Sequence, residues 1–519
     1  MKRSDYMEFC SILWRDKSLL ERADKPDEEE SYFEDLNLTM IIDKITENED
    51  AINIRKYFYY INNDTDTIKY RQDILKDIMQ SDVFKTFSNF LNEQSKCNKL
   101  EDYSNKATYP WQKMGHYLDY IYEYCSVITK LHKDLSLCHL NSQGLTDFKH
   151  WLDNYILRQS FIELKMEADN LIKEINKIKY SLQFEEDRVI VHTDVPSTNY
   201  CKSIREMFNK PDDEEYLMEN PFKGVFQMSL LEQRIIDVLA QEYPQVFKKL
   251  ESFYYNNTDP IPMVIKRLAE ELPFYTEYLS FIRKLENMGL HFCFPQVKDS
   301  SKEFYFMELY DLALGIKNME SNIDTITNSA YYTNKEKFMV VTGPNQGGKT
   351  TFARAVGQLI YFSLLGLMVP CQKAVLPRFD GIITYFSKEE LLETGMGKLK
   401  EELTRIRPMM LQEFNNQFVI INELFTTAGT YDAIYMGKRV IRHFIKSGCY
   451  GIYVTHIVEL AEEDETIVSM VASLDKENKE KRSYKINRMP AEGIGYVNSL
   501  VMKYNLTYDD IKEVLKTCL

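Results

Sequence analysis

Residues Val341 to Thr351 read VTGPNQGGKTT, a glycine-rich stretch that ends in a lysine and two threonines. Within it the spacing G-x-x-x-x-G-K-[ST] is that of a phosphate-binding loop. The glycines let backbone N–H groups point at phosphate oxygens, Lys349 neutralises the β- and γ-phosphates, and the Thr350 hydroxyl can ligate magnesium. An apolar FMVV precedes the loop and a helical FARAVGQLIYF follows it, which is the required context. The predicted nucleotide-binding residues are Gly343, Pro344, Asn345, Gln346, Gly347, Gly348, Lys349, Thr350 and Thr351.

A second stretch, FVIINELFTT from Phe418 to Thr427, should supply the acidic residue that helps to hold the magnesium ion. Asn422 stands where that aspartate is expected. A neutral amide keeps its hydrogen-bonding ability but loses a charge beside a divalent cation. The predicted metal-site residues are therefore Thr350 and Asn422, with ATP and Mg²⁺ as ligands and slow turnover.

The hydrophobic pattern divides the chain into two regimes. From about residue 31 to 300 apolar residues recur at helical spacing, as in Leu145, Phe148, Leu152, Tyr155, Ile162 and Met166. Residues 181–194 alternate and are rich in β-branched side chains, which predicts a short hairpin between helices.

From residue 301 the pattern becomes that of an α/β domain. Phe338–Thr342, Phe418–Ile421 and Gly451–Thr455 are short apolar runs separated by helical stretches, which predicts buried strands of one sheet. The predicted fold is multidomain: an N-terminal segment 1–30, a mostly α-helical core and lever region 31–300, and an α/β P-loop ATPase domain of the ABC type, 301–519, with C-terminal helices.

Composition limits the classes of function. The 519 residues carry a net charge of −15, which argues against a surface covered with nucleic-acid contacts but leaves room for a local basic patch. Lys476–Arg488, with six basic and two acidic residues, is such a patch or else a solvated hairpin between two strands. Nine cysteines without paired C-x-x-C spacing, no signal sequence and no apolar run of about 20 residues predict a cytoplasmic protein without a membrane partner.

TGPNQGGKTT, with Asn345 inside the loop and two glycines before Lys349, resembles the P-loop of the MutS family of DNA mismatch repair ATPases. YVTHIVEL is similar to the family's switch-histidine strand, and residues 365–386 and 493–515 resemble the segments that follow the P-loop helix and close the domain. The helical half is similar in organisation to the family's core and lever helices. Since only about 30 residues precede that half, the resemblance is to a reduced member without the mismatch-reading N-terminal domains.

The resemblance implies roles for residues outside the loop. Glu423 matches the family's catalytic carboxylate and His456 the residue that senses the γ-phosphate. Asp432 resembles the acidic residue of a loop that meets the neighbouring subunit. Aligning Glu402 with the family's signature-loop glutamate puts Gly397 at the position of a serine that contacts the partner's ATP. A homodimer through the ATPase domains is the implied assembly.

The function that follows is ATP-dependent binding of mismatched, branched or otherwise structured DNA, gated by slow ATP hydrolysis. The alternative is an ATP-gated scaffold that binds a protein partner and no nucleic acid, which the acidic balance permits. A transporter ATPase is a poorer reading, because the signature loop is not of that type.

Overall fold

The computed structural model describes residues 9–18, 30–47, 54–62, 64–185, 188–193, 228–299, 303–333, 335–387, 397–411, 416–462, 464–474, 482–491, 508 and 511–512. The chain forms two compact units, and their described parts are treated separately below. The first comprises Met1–Phe9 and Asp77–Ala269, and the second comprises Cys10–Lys76 and Glu270–Leu519. The divisions fall inside two helices, Thr65–Met79 and Met263–Glu286.

The first unit is built mainly from helices with an apolar core. Leu118, Ile121, Tyr124 and Ile128 on one helix and Leu145, Phe148 and Leu152 on the next are all buried. One antiparallel hairpin, Ser181–Glu185 (β1) with Arg188–His192 (β2), follows the fourth of these helices, within the stretch 181–194 for which a hairpin was predicted. The helices are Ser81–Lys106 (α5), Pro110–Leu137 (α6), Gln143–Ile156 (α7), Gln159–Ile175 (α8), Leu230–Glu242 (α9) and Pro244–Asn256 (α10).

The stretch from Leu145 to Met166 is helical as predicted, but it forms two helices and its apolar residues are not all buried. Leu145, Phe148, Leu152 and Tyr155 are buried, whereas Ile162 and Met166 are exposed. The reason is a break: α7 ends at Ile156 and α8 begins at Gln159, so spacing counted across the break no longer marks one face. Helix α8 buries another set, Phe161, Leu164, Ala168, Leu171 and Ile175.

The second unit includes chain segments from both sides of the first. The buried Arg71 guanidinium donates to the carbonyl oxygens of Leu13, at 3.0 Å, and Leu365, at 3.2 Å, and lies 4.3 Å from the Trp14 ring. The Glu271 carboxylate accepts from Ser11. Because these contacts join distant segments, residues 31–76 and 270–300 lie in this unit, not with the helical domain assigned to 31–300. Its first helices are Tyr32–Asp35 (α1), Leu38–Ile45 (α2), Arg55–Tyr59 (α3) and, in part, Thr65–Met79 (α4) and Met263–Glu286 (α11).

Six strands form a sheet at the centre of the second unit: Phe338–Thr342 (β6), Ile382–Phe386 (β8), Phe418–Asn422 (β9), Tyr450–Val454 (β10), Ile467–Leu474 (β11) and Arg482–Arg488 (β12). Their order in the sheet is β12-β11-β6-β10-β9-β8. All neighbours pair in parallel except β12, which is antiparallel to β11. Every residue of β6, β9 and β10 is buried, as the predicted apolar runs require.

Four further strands of this unit are Gln296–Lys298 (β3), Phe304–Leu309 (β4), Asn328–Tyr332 (β5) and Lys373–Pro377 (β7). They form a second sheet in the order β3-β7-β4-β5. The further helices of the unit are Leu312–Ser321 (α12), Lys349–Leu364 (α13), Lys398–Leu411 (α14) and Thr430–Lys446 (α15). Among the helices described, none is long and apolar enough to cross a membrane. Most of the predicted closing segment, 493–515, lies outside the described residues.

Candidate functional site

The loop between β6 and α13 curls tightly at the carboxyl edge of the sheet. Gly343 has φ 121° and Gly348 has φ 88°, backbone conformations that residues other than glycine rarely adopt. A Cβ on Gly343 would lie 2.9 Å from the Cβ of Ala472 and 3.0 Å from its carbonyl oxygen. Glycine is therefore required at Gly343 both by the backbone conformation and by the close approach of β11.

Lys349, the first residue of α13, points back under this loop. Its Nζ donates to the carbonyl oxygens of Gly343, at 2.8 Å, and Pro344, at 3.0 Å, and lies 3.4 Å from Nδ1 of His456. Burial lowers the pKa of Lys349 to about 8, although the nearby Glu423 carboxylate opposes the shift. The result is a cation held at the N-terminus of a helix, where backbone N–H groups also favour an anion.

The next residue connects the loop to β9. Thr350 Oγ1 donates to Asn422 Oδ1 at 3.0 Å. Asn422 is the last residue of β9 and is only 7% exposed. The two residues predicted to hold magnesium are thus adjacent, and both offer neutral oxygen atoms, the kind of ligand that this ion accepts.

Glu423 and His456 form a pair at the ends of two neighbouring strands. Glu423 follows β9, His456 lies two residues beyond β10, and His456 Nε2 is 3.0 Å from Glu423 Oε1. The hydrogen bond from His456 holds the pKa of the Glu423 carboxyl below its ordinary value, despite partial burial. Glu423 therefore stays ionised near neutral pH.

Lys349, Thr350 and Glu423 line a cavity of about 580 Å³ in the second unit. Its lining combines the loop from Asn345 to Thr351 with apolar side chains, among them Leu314, Ile323 and Ile326. The volume lies in the range of small-molecule sites. A ligand with both an anionic group and an apolar group fits this lining.

Four residues at or beside the cavity are not among the site residues predicted from the sequence. Asp311, Asn328 and Tyr484 line it, and Arg482 donates to Gln346 at 2.6 Å. Burial raises the pKa of Asp311, which caps α12 through the Leu314 N–H and accepts from Gln358. Arg482 and Tyr484 belong to the basic stretch Lys476–Arg488, of which the structure describes a strand from Arg482 onward. That stretch was the available signal, but its position beside the loop was not visible in it.

Strained backbone also concentrates here. Gln346, Glu423 and Tyr484 line the cavity and have φ values of 58°, 55° and 55°, in the left-handed region. Non-glycine residues adopt this conformation at a cost, so it persists where the surrounding structure enforces it, often at functional sites.

The three residues assigned to a subunit interface differ in exposure. Gly397 is exposed, with no atom within 4 Å of a Cβ built on it, and Asp432 is exposed in the first turn of α15. The Glu402 side chain is instead 3% exposed, and burial raises the pKa of its carboxyl. Glu402 therefore faces the interior of its own subunit in this structure.

Parallel strands, a glycine-rich loop and a buried lysine at a helix N-terminus are features of an α/β domain suited to bind an anion. The family model for MutS domain V matches residues 339–494, which contain all the predicted site residues. The model for the MutS2 N-terminal domain matches residues 63–288, so the two matches cover more than half of the chain. The chain belongs to the MutS family.

Individual relatives match over shorter stretches. The DNA mismatch repair protein MutS of Thermotoga maritima is 34% identical over 137 residues, which are 26% of this chain and 17% of that protein. MSH2 of Saccharomyces cerevisiae is 25% identical over 255 residues, or 47% of this chain and 26% of that protein. MutS of Thermosipho melanesiensis is 23% identical over 57% of this chain and 39% of that protein. Each match spans less than half of the relative's own length.

Proposed function

We propose that the chain is a MutS-like, ATP-dependent DNA-binding protein in which slow ATP hydrolysis gates binding to mismatched, branched or otherwise structured DNA. One observation carries the proposal: hydrogen bonds bring Lys349, Thr350, Asn422, Glu423 and His456 together beside the cavity, in a segment that matches MutS domain V. The DNA part of the proposal rests on the family match, whereas the ATP part also rests on the geometry.

The loop accounts for the binding of the phosphates in this proposal. It is a P-loop in which backbone N–H groups bind phosphate oxygens. Lys349 exchanges its hydrogen bonds with Gly343 and Pro344 for bonds to phosphate oxygens. The apolar side chains that line the cavity contact the base.

Thr350 and Asn422 would hold magnesium, which when bound neutralises part of the phosphate charge. Both supply neutral oxygens, so the site has one negative charge fewer than it would have with an aspartate at Asn422. We expect magnesium to be held weakly and turnover to be slow for this reason.

Glu423 orients the attacking water, and His456 senses the charge of the phosphate groups. Because its pKa is lowered, the Glu423 carboxylate is a weak base and contributes mainly by orienting the water through a hydrogen bond. His456 touches both Glu423 and Lys349, which places it where it senses a change in charge at the phosphate groups.

The active assembly is proposed to be a symmetric dimer through the ATPase domains. Gly397 and Asp432 are exposed, and Tyr431 and Tyr435 on the same helix as Asp432 are 81% and 55% exposed. Large exposed aromatic side chains are typical of association surfaces. At Gly397 only a backbone N–H is available to the partner's nucleotide.

Replacing Lys349 by alanine should weaken ATP binding by roughly 10- to 100-fold and abolish hydrolysis, because a charge-assisted hydrogen bond to phosphate is lost. In the unaltered protein, affinity should fall as pH rises through about 8, since the neutral amine cannot counter phosphate charge. Calorimetric titration measures both effects. Lys298→Ala, which removes an exposed lysine paired with Glu303, is the control. Equal affinity in Lys349→Ala and the unaltered protein would refute the assignment.

Asn422→Asp restores the missing charge beside Thr350. A further charge about 4 Å from a divalent cation is worth on the order of several kcal/mol under surface-like screening, so the magnesium concentration for half-maximal activity should fall at least tenfold. Turnover should rise. Glu423→Ala serves as the reference that stops hydrolysis and keeps ATP binding. If the aspartate variant needs as much magnesium as its parent, Asn422 is not at the metal.

Turnover per chain should fall on dilution below the dimer dissociation constant. Sedimentation of Glu423→Ala with ATP should show a dimer that Tyr431→Arg disrupts by placing a charge in the interface. Tyr255→Arg, at an exposed tyrosine of the other unit, is the matched control and should leave the dimer intact. A monomer with concentration-independent turnover would contradict the proposal.

DNA binding should weaken with salt, because each phosphate neutralised by the protein adds about −0.9 to the slope of log affinity against log salt. Mismatched, junction, single-stranded and plain duplex DNA are compared with and without ATP, and Lys349→Ala tests whether the nucleotide is responsible. Nucleotide binding without affinity for any of these DNAs would favour the scaffold that binds a protein partner.

A further inference from the structure

The β11–β12 pair packs directly against the glycine-rich loop, Gly343–Lys349. The end of β11 approaches the loop so closely that a Cβ on Gly347 would lie 3.1 Å from the Cβ of Ala472. From β12, the Tyr484 ring would lie 3.6 Å from a Cβ on Gly348. This part of the sheet therefore forms one wall of the loop.

Arg482 is the first residue of β12 and pairs across the strands with Leu474. Its Nη1 donates to Oε1 of Gln346 at 2.6 Å. Gln346 is exposed, has φ 58° and lines the cavity. This contact holds the guanidinium against the loop at Gln346, while the Lys349 ammonium lies against the carbonyl groups of Gly343 and Pro344.

Two cations thus share one short loop. Burial is the main cause of the lowered pKa of Lys349, and the positive charge of Arg482 lowers it further. A phosphate group bound beside both cations would reduce their mutual repulsion. An arginine also offers a planar fork of donors that matches phosphate oxygens.

We propose that Arg482 binds the terminal phosphate of ATP from within the same chain and that Gln346 positions its guanidinium for this contact. The inference rests on the proposed nucleotide site. Arg482 would then distinguish ATP from ADP, because its partner oxygen exists only on the triphosphate. Lys349 by contrast serves both nucleotides.

The test compares ATP and ADP binding by titration in Arg482→Gln. We expect ATP affinity to fall roughly tenfold, the loss of one charge-assisted hydrogen bond, with ADP affinity changed less than about twofold. Arg482→Lys keeps the charge and should recover part of the ATP affinity. Gln346→Ala keeps the guanidinium but removes its contact with the Gln346 side chain, and should give a smaller loss that is again confined to ATP.

Lys335→Gln, which removes a positive charge from an exposed pair with Glu465, is the control and should change neither affinity. Equal losses for ATP and ADP in Arg482→Gln would mean that the residue only supports the loop, and this inference would be wrong while the nucleotide site stands. Unchanged ATP affinity would also overturn it. If the unaltered protein binds neither nucleotide, the proposed function fails and the inference fails with it.

Discussion

A buried lysine ammonium is the constraint on which the candidate site depends. Placing a cation inside a protein is unfavourable unless polar groups surround it, and Lys349 is 4% exposed. The carbonyl groups of Gly343 and Pro344 meet that need, so the loop must curl around the ammonium. Such a curl demands backbone conformations that glycine adopts readily. The glycine spacing, the strand before the loop and the helix after it all follow from this requirement.

The parallel sheet extends the same site to residues far away in the chain. Strands β6, β9 and β10 are neighbours and run in the same direction, so their carboxyl ends meet at one edge. That edge brings Asn422, Glu423 and His456 beside Lys349 and Thr350. In α/β sheets ligands bind at this edge, because loops and helix N-termini gather there.

The charge balance at this edge of the sheet differs from that of a metal site with an aspartate in place of Asn422. Asn422 is buried beside Thr350 without adding a charge, and Glu423 carries a negative charge near Lys349. A site with this balance is suited to hold phosphate groups firmly and magnesium less firmly. The slow turnover proposed above would suit a protein whose nucleotide state controls another binding event.

Local sequence alone determined the strand, loop and helix around Lys349, and strands β9 and β10 to within a residue. Apolar runs, glycine spacing and helical periodicity are all set by residues close together in the chain. Only the tertiary structure decided that Arg482 and Tyr484 face the loop, that Glu402 is buried, and that residues 31–76 pack in the second unit. Those facts depend on contacts between residues that are distant in the chain. The spacing of residues within a short segment does not indicate which distant residues that segment will contact.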